Sequence, residues 1–256
     1  MLALVRRVLM LRLRDPRSLR RVSRRTVPVE EVATVLKTML SEWTKLRTTA
    51  SFWWTSGLAL LFSIAWAVLM ASLDNPDSPT YGGASAIMGF NSFGLMTLLI
   101  QAIMVVTTEY RFKVNSTNYT LTPQRWQVGL AKLLVYGIFA AIFSVVAILL
   151  CFIVGDLIAA NPIEWWDNPF VRRSLWVIPL TTFMAVMLVQ GIGWIVRATA
   201  GALAIYLGWQ LVLEPALAMI PRVGRNIQTY APFMNLQFFT ANMNNPGPDP
   251  LDTAGA

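Results

Sequence analysis

The chain reads as an all-α membrane protein, a helical bundle of five spans, on three observations. Apolar runs near 52–73, 87–107, 128–154, 174–196 and 200–220 are each long enough to cross a ~30 Å hydrocarbon core as a helix of ~20 residues. Only 13% of the residues are charged and 55% are hydrophobic, against about 25% charged in a soluble domain. The runs contain almost no charge; nearly all of it lies between them, where it avoids the cost of a few kcal/mol that each group would meet at mid-bilayer.

Taken in order, residues 1–40 form a basic N-terminal segment, 41–220 a transmembrane domain and 221–256 an extracytoplasmic segment with a linker. Met1 to Arg25 alternates apolar residues with arginines and lacks the uninterrupted apolar core of a cleavable signal. Its arginines do not keep to one helical face, so an interfacial helix, disorder and a start codon placed too far upstream all stay open. Residues 41–51 mix charged and apolar positions beside the first span, the pattern of a helix lying flat at a membrane surface. Trp53-Trp54 and Trp165-Trp166 fall at span ends, where amphipathic rings settle among headgroups.

Lysine and arginine set the orientation. Lys37, Lys45 and Arg47 precede the first span, and Arg111, Lys113, Arg125 and Lys132 join the second to the third; both segments are expected inside, with the N-terminus. The connections 74–86, which carries Asp74 and Asp77 but no basic residue, and 155–173 are then outside, and the turn around Arg197 is inside. Arg172, Arg173, Arg222 and Arg225 run against the rule and are outnumbered. Pro221 to Asn245 is too polar to span, although Phe233, Leu236, Phe238 and Phe239 could bury one side of short helices dipping into the interface; Pro246 to Pro250 has linker composition.

Absences narrow the chemistry. There is no histidine, and the one cysteine, Cys151, sits inside the third run, so an intrachain disulfide, a Cys/His zinc site and a histidine-based triad are excluded and no metal ligands are expected. No Gly-x-x-x-x-Gly-Lys-Ser/Thr loop occurs, so the chain does not cradle a nucleotide itself. The net charge of +8 flanks apolar helices instead of forming a basic domain, which points to anionic lipid headgroups and away from nucleic acid.

Two places carry the remaining information. In the fifth span Tyr206, Gln210 and Glu214 recur every four residues along one helical face, and Glu214 is the ionisable group set well inside a span. These groups either satisfy one another and a neighbouring helix, or face a translocation path or subunit interface; Pro215 is expected to bend the helix beside them. Asn91, Gln101, Thr182 and Gln190 are weaker candidates of the same kind. The second-to-third connection holds charges and aromatic anchors that suit a small interface, with Pro123 at a helix start and Thr122 as its cap; read blandly, it is a solvated basic loop that sets topology.

The run Ser41-Glu42-Trp43-Thr44-Lys45-Leu46-Arg47, together with Thr108-Glu109-Tyr110-Arg111, Leu121-Thr122-Pro123-Gln124-Arg125-Trp126 and Ala131-Lys132, resembles the permease subunits of ABC-2 type exporters, particularly the actinobacterial kind. The resemblance covers residues 40–220 and implies a type V-like bundle. It also implies a connecting helix over 41–51 with Glu42, Trp43, Lys45 and Arg47, and a coupling loop over 108–127 that docks a separate ATPase through Glu109, Tyr110, Arg111, Pro123, Arg125 and Trp126. ATP and magnesium would then be held by that partner, leaving this chain without cofactor and without catalysis. A second permease, the same or different, is implied, with Tyr206, Gln210 and Glu214 on the translocation path or between the two copies in the cytoplasmic membrane. The expected activity is export of an amphipathic or lipid-like substrate or drug; the alternative is a non-transporting scaffold or sensor subunit. The chain departs from the family at Lys113-Val114-Asn115-Ser116, and a sixth span is expected beyond Ala256.

Overall fold

The computed structural model describes residues 36–77, 79–112, 125–163, 168–220 and 231–241. Among them are five helices long and apolar enough to cross a membrane, one for each apolar run. Most extend past the expected limits, because hydropathy marks the apolar stretch of a helix and not the polar turns that carry it into the headgroups.

Helix α1 covers 36–48, starting ahead of the expected 41, and an elbow at Thr49 (φ −87°, ψ 113°) separates it from α2, Ala50–Ser72. Neither glycine nor proline makes this break. Thr44, Thr48 and Thr49 turn their hydroxyls back to the carbonyls of Leu40, Thr44 and Lys45 at 2.9, 2.9 and 2.8 Å, offering the backbone an alternative to continued helix. Trp53 Nε1 then donates to the carbonyl of Arg47 at 2.9 Å, satisfying an acceptor that the end of α1 would leave orphaned.

The second span runs from α3, Gly83–Gly89, through a wide π turn, Phe90–Gly94, into α4, Leu95–Arg111. Glycine flanks the π turn because the span lies directly on α2: a Cβ on Gly89 would come 2.4 Å from the Trp66 Cβ, and one on Gly94 2.5 Å from the Ser63 Oγ. The opposing stripe of α2 is correspondingly small, with Ser56, Ala59, Ser63, Ala67 and Ala71 buried at helical spacing, as close helix approach in lipid requires.

Helix α5, Arg125–Asp156, takes in residues expected to belong to the 108–127 loop, just as α4 takes in 108–111. Residues 113–124, which include Pro123, lie outside the described residues. Helix α6, Pro169–Val196, begins with proline at its first position, where no N–H is needed, and Asn168 caps it by accepting from Phe170 N at 3.0 Å. Helices α5 and α6 pack side by side, α2 lies against α5 and the second span, and α4 lies against α6.

The fifth span is not the regular helix that a four-residue repeat assumes. It consists of α7, Thr199–Leu207, a π turn over Gly208–Leu213, and α8, Glu214–Ala218. Pro215 explains the widening: it lacks an N–H, and its ring cannot pass the carbonyl one turn back. Tyr206 and Glu214 are both buried, whereas Gln210 is intermediate and Ile205, Trp209, Leu211, Val212 and Leu213 are exposed.

Helix α9, Pro232–Ala241, packs on α6. The Phe233 ring meets Tyr206 edge-on at 5.5 Å, while the carbonyl of Phe239 accepts from Arg173 Nη2 at 3.1 Å. Arg173, which offends the charge rule, thus stands where a helix C-terminus favours a cation.

Two apolar clusters divide the bundle. One gathers Phe52, Ile103, Tyr136, Val189 and Tyr206 toward what is called here the Glu109 end; the other gathers Tyr81, Phe90, Ile148, Phe152 and Ile178 toward the Asp74 end. At the Asp74 end a single carboxylate ties the connections together. Asp74 Oδ1 accepts from the backbone N–H of Thr80 and Tyr81 at 2.9 and 3.1 Å, and Oδ2 accepts from the Asn161 backbone and side chain at 2.8 and 3.2 Å. The Tyr81 N–H, followed by those of Asn161 and Thr80, holds the Asp74 carboxyl below the usual carboxylate range against the opposing effect of burial.

Candidate functional site

At the other end, four charged side chains from three elements meet: Glu42 and Lys45 from α1, Glu109 from the last turns of α4, and Lys132 from α5. Lys132 Nζ lies 2.7 Å from Glu109 Oε1 and 3.0 Å from Glu42 Oε2. Lys45 Nζ reaches the same two carboxylates at 3.4 and 2.5 Å. Each lysine therefore bridges both glutamates, and the ring closes with zero net charge. The Lys132 and Glu42 side chains are only 3% and 5% exposed, which such full pairing permits. Burial would raise the Glu42 carboxyl, but Lys132 and then Lys45 hold it below its ordinary value; burial would lower the Lys45 ammonium, but Glu42 and then Glu109 hold it above.

Deeper in the bundle, a second polar knot sits among apolar residues. Gln101 Nε2 donates to the Phe52 carbonyl at 2.8 Å and to Thr55 Oγ1 at 2.6 Å, and the Tyr136 hydroxyl donates to Gln101 Oε1 at 2.9 Å. One glutamine thereby joins α2, α4 and α5, whereas the charged ring joins α1, α4 and α5. Between ring and knot lies a cavity of about 420 Å³, walled by Phe52, Met104 and Phe112 as well as by the four charged groups. It has the size and the mixed lining of a small-molecule pocket.

Sequence reasoning placed Glu42 and Lys45 in one group and Glu109 in another; the fold unites them. Glu109 turns inward to the lysines with its side chain 14% exposed. Tyr110 packs on Trp194 at 5.9 Å, edge-on, with Arg197 of the α6–α7 turn 5.7 Å from its ring. Arg111 and Phe112 are exposed, as is Trp126 in the first turn of α5, so an exposed aromatic ring stands at the end of α4 and another at the start of α5. Arg125 lies in helix, with its side chain outside the described residues, and Pro123 falls outside them altogether. Trp43 sits 6.3 Å from Phe139, and Arg47 is exposed.

In the fifth span the Glu214 carboxylate is turned into its own chain, accepting from Trp209 Nε1 at 2.8 Å and from the Phe233 N–H in the first turn of α9 at 3.1 Å. The Tyr206 hydroxyl and Gln210 Oε1 are buried with no hydrogen-bond partner among the described residues, as are both side-chain polar atoms of Gln190. Lys132 is the ring member to which the sequence assigns no site role, since it enters there only as a topology signal and within the Ala131-Lys132 motif. A lysine lying several residues inside the run 128–154 was itself the signal, because a charge placed there needs a partner.

The model of the ABC-2 family transporter protein family matches residues 38–210, which takes in the ring, the knot and all five spans as far as Gln210. No curated protein matches, and no solved structure does. Because the family match spans well over half of the chain and ends beyond both functional clusters, the chain belongs to the ABC-2 family of transporters, as a multi-pass membrane component that is not itself catalytic.

Proposed function

We infer that this chain is the permease half of an ATP-driven exporter, taking an amphipathic or lipid-like molecule across the cytoplasmic membrane on force delivered by a separate ATPase subunit. The observation that carries it is the charged ring. The hairpin between α4 and α5 cannot be pushed without moving Glu109 and Lys132, and both are bonded to α1, which continues through the Thr49 elbow into α2. A load applied to the hairpin is thereby shared among three helices. Phe112, 68% exposed, and Trp126, 60% exposed, offer the partner the kind of aromatic anchor that dominates small interfaces. The Glu109 end is cytoplasmic in this reading, consistent with its lysines and arginines. ATP and magnesium belong to the ATPase.

A second copy of the chain, or a related permease, is expected along the fifth span, which is the least buried of the five and carries the orphaned Tyr206 and Gln210 groups. The decisive experiment is capture of an ATP-binding cassette ATPase from native membranes by the tagged chain and by its Trp126→Glu and Arg125→Glu variants. Both are expected to lose the ATPase while the bundle melts as before. Retention of the ATPase and of transport in both variants removes the coupling assignment, and a chain that never captures an ATPase points to the scaffold alternative.

A further inference from the structure

The two lysines of the ring are not equivalent. Lys132 is sealed in and on its own bridges Glu109 and Glu42, so the carboxylates keep a counter-charge whatever Lys45 does. Lys45, with its side chain 40% exposed, pairs with the same carboxylates, and all three groups line the cavity together with the apolar side chains of Phe52, Met104 and Phe112. Its ammonium thus occupies a place for a cation at the head of an apolar pocket, tethered there by its own chain.

We propose that this cavity binds a cationic amphipathic molecule, an ammonium on an apolar body, whose cation displaces that of Lys45 between Glu42 and Glu109. The exchange replaces one ammonium by another, so the charge of the site is unchanged and the Coulomb terms nearly cancel. What remains is favourable: the apolar body leaves water for the cavity wall, and the long Lys45 side chain regains rotamer freedom in solvent. A neutral amphiphile brings nothing to replace the lysine. An anionic one meets two carboxylates with a single buried lysine already shared between them, so the site selects by repulsion as well as attraction. The proposal rests on the exporter reading, of whose cargo it names the charge.

The test uses the full chain in lipid nanodiscs and a photoreactive alkylammonium probe, with the sulfonate and the alcohol of the same tail as comparators. The ammonium is expected to label peptides carrying Phe52 and Met104 saturably, and the other two are not. Lys45→Gln removes the tethered competitor and should raise the apparent affinity about tenfold, a gain that misfolding cannot mimic. Glu109→Gln should lower it about tenfold in protein that still melts cooperatively. Equal or stronger labelling by the sulfonate, weaker labelling in Lys45→Gln, or the lack of any saturable labelling overturns the proposal. Since labelling needs no ATPase, such a result leaves the exporter reading standing, whereas failure to capture an ATPase sinks that reading without touching the binding result.

Discussion

The two ends of the bundle are tied by opposite means. At the Asp74 end one carboxylate takes N–H groups from two connections, most of them backbone donors fixed in place by the chain. At the Glu109 end four flexible side chains trade two cations between two anions. A backbone clasp has one arrangement, because its donors cannot rotate away. The ring of lysines and glutamates can give at one place, because the Lys45 arm can leave while Lys132 keeps both carboxylates paired. The first suits a closure that holds its shape, the second a joint that must yield and re-form.

The largest effect is expected from Lys132→Ala, which leaves the buried Glu42 and the largely covered Glu109 with only the half-buried Lys45 between them and should cost about 3–5 kcal/mol. Thermal melting in detergent measures it, and adding Glu109→Ala should recover part of the loss; strict additivity would mean that the pair is not coupled. Next comes Gly155→Ala at the other end, where a Cβ would lie 2.0 Å from the Tyr81 hydroxyl oxygen and overpacking should cost about 1–3 kcal/mol. Gly57→Ala is its control: with nothing within 4 Å of the new Cβ it should be neutral or gain up to about 1 kcal/mol, and similar melting of the two variants would refute the close Tyr81–Gly155 packing.

The smallest effect is a difference in acid sensitivity. Glu42 and Asp74 are both held below their ordinary values of 4.5 and 3.8, so their stabilisation is complete above those values and is lost as pH falls through the lower folded ones. Lys45 is held above 10.5, so its contribution is complete below that pH and is lost only on stronger alkalinity. Melting should thus be level between these limits and fall on the acid side, and Glu42→Gln should start lower with a shallower acid limb, having one fewer proton to take up. An acid limb identical to that of the parent would detach Glu42 from the stability of the ring.

The five spans were legible in the sequence, because a bilayer penalises charge and unpaired backbone at every position and so writes its demand into local composition. The interruptions were partly legible: Pro215 announced a bend but not that Glu214 would accept from the first turn of α9. Two facts needed the tertiary structure. One is that Glu42 and Glu109, far apart along the chain, share Lys132; the other is that Gln101, a minor candidate among several polar residues, is the hub joining α2, α4 and α5. Periodicity tells which face of a helix avoids lipid, but which groups on two such faces lie at the same depth depends on how the helices shift and turn against each other, and that is settled by packing between segments distant in sequence.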